Sequence, residues 1–180
     1  MPSAATALRD ALLERLGLSP MHRPPPADRL RCSIYPPGLP LGQLVLIQGA
    51  GRTQAVAQLM AEHPLLLVAW VEEHMSAYPP GLAQQGVTLE RLLFIESGGQ
   101  WSWVLAQLLR SQVFKVIVAA SPLKGPEVEA GLRRLQLAAE RSQSLVILLG
   151  QPEGPAWAIR SRLRCQRQSG RLILKEESQR

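Results

Sequence analysis

Between residues 38 and 150, apolar positions fall into short unbroken runs separated by longer stretches with a helical stripe. Leu44-Val45-Leu46-Ile47, Leu65 through Val71 and Val116-Ile117-Val118-Ala119 are the clearest runs. Together with two further segments they predict strands over 43–48, 65–71, 92–96, 114–120 and 144–149. A strand that is apolar at every position has no face to give to water. Such strands belong in a parallel sheet covered by helices on both faces. The intervening spacing predicts helices over 52–62, 80–86, 100–112 and 126–142. Strand and helix alternate, so the fold class is α/β.

The two ends carry different patterns. Residues 4–16 predict an amphipathic helix with Leu8, Leu12 and Leu16 on one stripe, stopped by Gly17, Ser19 and Pro20. Pro24-Pro25-Pro26 then makes a stiff, extended tether. A helix on such a tether either folds back or packs on a neighbouring molecule. Burying its leucines would contribute on the order of 1.5–3 kcal/mol each before ordering costs. At the other end, Arg160, Arg162 and Arg164 alternate with Ser161, Leu163 and Cys165. A turn at Gln168-Ser169-Gly170 returns the chain through Arg171 to Lys175, predicting a β-hairpin with one apolar and one basic face. The expected organisation is an N-terminal helix (1–17), a proline-rich linker (18–37), an α/β core (38–155) and a basic hairpin with tail (156–180).

Composition narrows the chemistry. The 180 residues are 46% apolar but only 4% aromatic, so aliphatic side chains must fill the core. There are 20 Lys plus Arg against 14 Asp plus Glu, a formal charge of +6, and only Lys115, Lys124 and Lys175 are lysines. An arginine-rich surface suits acidic partners, nucleic acid among them. The arginine face of Arg160, Arg162, Arg164, Arg167 and Arg171 is the candidate DNA-binding surface, set against a solvated outer face whose charges block edge-to-edge pairing. Cys32 and Cys165 have no metal-like spacing, and His22 and His63 read as surface residues, so no metal and no cofactor is expected. With no apolar run of about 18 residues and no leader pattern, the expectation is a soluble cytoplasmic protein without membrane contact.

The strand at 43–48 leads into Gln48-Gly49-Ala50-Gly51-Arg52-Thr53, the place where a phosphate-binding loop would sit. A working loop needs G-x-x-x-x-G-K-[ST], because four residues between glycines wrap backbone N–H groups around the β-phosphate. Here Gly49 and Gly51 enclose one residue and Arg52 takes the lysine position before Thr53. Arg52 and Thr53 remain open to anion contact or to a plain helix start. Trp101 and Trp103, two apart near a helix start, lie on different helix faces, so either one is exposed and suits a protein contact or a stacked base, or both are buried in the core.

The order of motifs resembles the RecA recombinase core. Gly38-Leu39-Pro40-Leu41-Gly42 before an apolar strand resembles the approach to the RecA phosphate loop. Trp70-Val71-Glu72-Glu73-His74 resembles the strand carrying its catalytic glutamate, with Glu73 at the aligned position. Gly86 to Leu93 resembles the G-V-D-x-x-x-L-L stretch, and Phe114 to Ser121 occupies the place of the Walker B strand. The resemblance covers roughly residues 38–150, and it departs where chemistry would be done. The loop is short, and Ala120 stands where an aspartate would hold the Mg²⁺ shell. The resemblance therefore implies a RecA-like core with a degenerate phosphate loop, and no nucleotide hydrolysis.

Tyr78-Pro79-Pro80-Gly81-Leu82-Ala83, the tethered N-terminal helix and the Arg/Leu-rich hairpin resemble the ImuA family of mutasome accessory proteins. That resemblance implies a cytoplasmic, nucleoid-associated adaptor in SOS-induced, error-prone translesion DNA synthesis. Its implied partners are RecA, ImuB and an error-prone C-family polymerase, with DNA as a further candidate and self-association through Leu8, Leu12 and Leu16. The alternative is the SulA family of cell-division inhibitors that bind FtsZ, similar over Leu105-Ala106, Leu109-Arg110 and Val116-Ile117.

Overall fold

The apolar runs require cover on both sides, and a computed structural model supplies it with two layers around one sheet. It describes residues 28–120, 128–150 and 157–177. The expected helix over 4–16, with Leu8, Leu12 and Leu16, lies outside these residues, as do Lys124 and Ser121.

The described elements run β1 (Arg29–Cys32), β2 (Tyr35–Pro40), β3 (Leu44–Gln48), α1 (Arg52–Glu62), β4 (Val68–Glu72) and α2 (Pro79–Ala83). They continue through β5 (Leu92–Glu96), α3 (Trp101–Ser111), β6 (Val116–Ala120), α4 (Val128–Ser142), β7 (Leu145–Leu149), β8 (Ser161–Gln168) and β9 (Arg171–Glu176). The main sheet has seven strands in the order β5-β4-β6-β7-β3-β8-β9. Every pair is parallel except β8 with β9. An α/β fold with a mostly parallel sheet and a C-terminal hairpin is therefore what the chain forms.

Strand parity divides the core in two. Val45, Ile47, Trp70, Val118 and Ile147 face one layer, closed by α1, α2 and the β1–β2 hairpin. Leu44, Leu46, Val71, Ile117 and Leu148 face the other, closed by α3 and α4. Leu163 and Cys165 of β8 and Leu172 and Leu174 of β9 join the first layer only. The opposite face of that hairpin therefore has no helix over it among the described residues.

Two expectations need correction. The proline-rich linker expected over 18–37 does not extend that far, because residues 29–40 form the β1–β2 hairpin. Its Cys32, Ile34, Tyr35 and Leu39 are buried in the first layer, so the prolines sit among residues with a core-facing side. Pro36 and Pro37 are exposed on a two-stranded ribbon, where a missing N–H is tolerated. The ribbon is tied down by Leu174 N–H donating to Ile34 O (2.9 Å), by Ser33 N–H donating to Glu62 (2.9 Å) and by the Tyr35 hydroxyl donating to Glu176. Burial first, and Glu176 second, push the Tyr35 hydroxyl up to about 12, so it stays a donor. The strand expected over 65–71 begins only at Val68, where pairing with Leu92 and Val116 begins. Leu65 is left 80% exposed because the turn closed by Leu66 N–H on His63 O precedes the sheet.

One polar side chain ties α4 to the start of β3. Buried Gln136 accepts from Leu44 N–H (3.0 Å) and donates to Gly42 O (3.2 Å) and Glu140 (2.9 Å). Gln136→Leu leaves a buried donor and a buried acceptor without these partners, each costing about 1–3 kcal/mol. Urea denaturation should show a loss of about 2–5 kcal/mol. A loss below about 1 kcal/mol would mean that the two backbone groups find other partners.

Candidate functional site

The turn between β3 and α1 is shaped by its glycines. Gly49 has φ +94° and Gly51 φ +86°, both in the left-handed region that favours glycine. A Cβ on Gly49 would lie 2.5 Å from the Cys165 carbonyl oxygen, and one on Gly51 would lie 3.0 Å from Leu172 Cδ2. The turn is thus pressed against β8 and β9. Arg52 and Thr53 are exposed, and α1 opens on Gly51 with no side-chain cap. Arg167 reaches across to donate to Gln54 Oε1 (2.9 Å), fastening the hairpin to the first turn of α1.

The carboxyl ends of the next strands form a row in which Glu96 and Ala120 are both in register with Glu72. Of the adjacent glutamates, sequence reading singled out Glu73, but the buried one is Glu72, at 4% exposure. Trp70 Nε1 (2.8 Å), Ser76 N–H and Ala77 N–H (3.0 Å) all donate to its carboxylate. Burial alone would raise its pKa, and these donors outweigh it and leave the carboxyl below its usual value. Glu72 therefore anchors the loop after β4. Its signal was legible, since Trp70 and Glu72 are two apart and share a strand face. Glu73 is half-buried, and His74 Nδ1 lies 3.7 Å from Glu96. Among the described residues, no three His, Cys, Asp or Glu side chains gather as metal ligands would.

The hairpin separates the expected arginine face. Arg164 is opposite Lys175 and Gln168 is opposite Arg171, which places Arg162, Arg164, Arg171 and Lys175 on one face. Arg160 is exposed just ahead of β8. Arg167 is not part of this surface, because it is opposite Leu172 on the core-facing side. An odd position in an alternating strand points away from its even neighbours. Arg164 is paired with Glu177. Sequence reading missed Lys175, which completes the basic face from the second strand.

Trp101 and Trp103 diverge as their spacing predicts. Trp101 packs against the α3–α4 core, and Trp103 is 60% exposed. No protein-family model matches this chain, and no curated protein matches its sequence. No helix among the described residues is long and apolar enough to cross a membrane.

Two outcomes follow from this geometry. Gly49→Ala combines a left-handed backbone with a collision against a carbonyl, so it should cost about 3 kcal/mol. Gly170→Ala, with φ +78° but no atom within 4 Å of the new methyl, should cost about 1 kcal/mol. Equal losses on denaturation would mean that the turn is not pressed against β8. Because Glu72 titrates lower in the fold than unfolded, its contribution is present above the ordinary carboxylate range. It is lost as pH falls through that range toward the folded value. Glu72→Gln should therefore flatten the acid limb of a stability–pH curve, and an unchanged slope below pH ~5 would contradict this assignment.

Proposed function

We propose that this chain is a non-catalytic, RecA-like adaptor of an SOS-induced, error-prone translesion synthesis complex, binding RecA or an ImuB-type protein. The observation that carries the non-catalytic part is the closed turn after β3. A loop that could wrap a triphosphate needs room at the carboxyl end of its strand, and here the backbone of β8 occupies the space beside Gly49. Ala120, in register with Glu72, offers no carboxylate for a magnesium shell. Hydrolysis by such folds rests on positioning and charge neutralisation, so the closed turn and Ala120 both support the non-catalytic reading.

What supports a RecA-like ancestry is the sheet. The order β5-β4-β6-β7-β3 with helices on both faces is consistent with that core, and β7 lies between the strand of the glycine turn and the strand ending in Ala120. The adaptor role rests on the resemblance of the Tyr78–Ala83 segment, the N-terminal leucine stripe and the basic hairpin to ImuA proteins. In this reading Arg160, Arg162, Arg164, Arg171 and Lys175 form the surface offered to DNA, and Leu8, Leu12 and Leu16 the contact to a neighbouring protein.

The test combines calorimetry with retention on beads. Titration with Mg-ATP should give no heat, and no phosphate should be released with single-stranded DNA present. The immobilised chain should retain purified RecA or an ImuB-type protein, and removing residues 1–20 should weaken that retention. ATP turnover would overturn the non-catalytic reading. Retention of neither protein would overturn the adaptor reading.

A further inference from the structure

An open groove of about 640 Å³ lies between α3 and α4, away from the glycine turn. Its apolar part is built from helical spacing: Trp103 and Ala106 on α3 meet Leu135 and Ala138 on α4. Trp103 (60% exposed) and Leu137 (49% exposed) stand at its rim, where a monomer gains nothing from exposing them. Arg110, Arg134 and Arg141 also line it, all exposed, and no Asp or Glu does. Arg134 Nε is steadied by the Ala130 carbonyl (3.3 Å), while Arg110 and Arg141 have no ion-pair partner among the described residues. A trough of mixed apolar and polar lining, with a tryptophan at its lip and arginines without matching acids, is half of a complementary pair.

We infer that the α3–α4 groove docks an acidic amphipathic segment of a partner protein, its apolar side chains against Trp103, Leu137 and Ala138 and its carboxylates toward Arg110, Arg134 and Arg141. A helix laid into a groove uses apolar anchors at i, i+3 or i+4, and i+7, which matches a trough between two helices. Charge complementarity selects the partner. The chain's own residues 1–20 carry Asp10 and Glu14 against Arg9 and Arg15, so they bring no net negative charge to three arginines. Single-stranded nucleic acid would stack successive bases on several rings, and Trp103 is the one aromatic side chain in the groove. The inference deepens the adaptor reading by giving a partner its chemistry, and its test needs neither Mg-ATP nor any named partner.

The full-length chain is used to select from a displayed library of random peptides of about 16 residues, roughly 24 Å as a helix. Selected peptides should carry Leu, Ile or Phe at helical spacing and an excess of Asp and Glu. By fluorescence anisotropy, a synthetic copy should bind Trp103→Ala and the Arg134→Glu/Arg141→Glu double variant at least about tenfold more weakly than the parent chain. Circular dichroism melting should show that both variants fold. Selected sequences without acidic excess would overturn the proposal. So would equal binding by a peptide with Lys in place of every Asp and Glu, or binding that ignores both variants. Displacement by oligothymidylate that depends on the same side chains would assign the groove to nucleic acid instead. A tenfold gain in peptide affinity on Leu12→Glu in the full chain would make the chain's own N-terminal segment the occupant. These outcomes leave the ATP and bead-retention results untouched, so either reading can fail alone.

Discussion

β3 lies between β7 and β8 with both faces buried and both backbone edges paired, and the rest of the molecule is arranged to keep it so. The chain first moves away from it to β4 and β5 and returns through β6 to β7 on one flank. The other flank would present open N–H and C=O groups in a parallel sheet that leaves its central strands no water. β8 closes that flank, and β9 closes most of β8. Because β8 runs parallel to β3 in register from Val45–Ser161 to Gln48–Arg164, its next residue, Cys165, comes alongside Gly49. The strand that seals the sheet is therefore the same one that fills the space after it. Closure of the fold and the crowding beside Gly49 have one cause.

The central strands were legible because residues buried on both faces leave no alternation to misread. Leu44–Gln48 falls within a residue of its expected bounds, and so do the edge strand Leu92–Glu96 and the helix Arg52–Glu62, which were read from other signals. An unbroken apolar run does not say where a sheet stops, however, and Leu65 and Leu67 lie outside it for want of a pairing strand. The β1–β2 ribbon was hidden for a different reason. Prolines remove donors and suggest a tether, while the contacts that fold this segment come from Glu62, Leu174 and Glu176, 29 to 141 residues away in sequence. Local pattern carries no record of such partners. Arg167 was legible in principle, since counting parity from Arg164 puts it on the far face. The α3–α4 groove was not, because it needs two helices brought together, each of which alone reads as an ordinary amphipathic helix.

Charge is distributed by the same logic. Several glutamates are engaged in holding backbone: Glu62 with Ser33, Glu72 with Ser76 and Ala77, and Glu129 with the N–H groups of Trp157 and Ala158. Glu140 accepts from Gln136, and Glu177 is paired with Arg164. Carboxylates drawn into such roles no longer balance the arginines on the outside. The surplus of +6 consequently shows where arginines have no such task, above all at Arg110 and Arg141.

Both basic surfaces lie on the same side of the sheet. α1, α2 and the β1–β2 ribbon close the opposite side across to β9. On this side α3 and α4 cover the parallel strands, and among the described residues no helix extends over the hairpin face. The groove of Arg110, Arg134 and Arg141 and the hairpin face of Arg162, Arg164, Arg171 and Lys175 therefore flank α4. The acids on the intervening ridge, Glu129 and Glu140, are held by their own hydrogen bonds. A positive field from one side attracts an anionic partner before any contact forms, and its reach shrinks to about 8 Å at physiological salt. On the proposed reading, a protein segment would meet the groove and a phosphate backbone the hairpin, and neither would approach the closed glycine turn. The proposed joining role would then use one side of the sheet, with the glycine turn closed off by the backbone of β8.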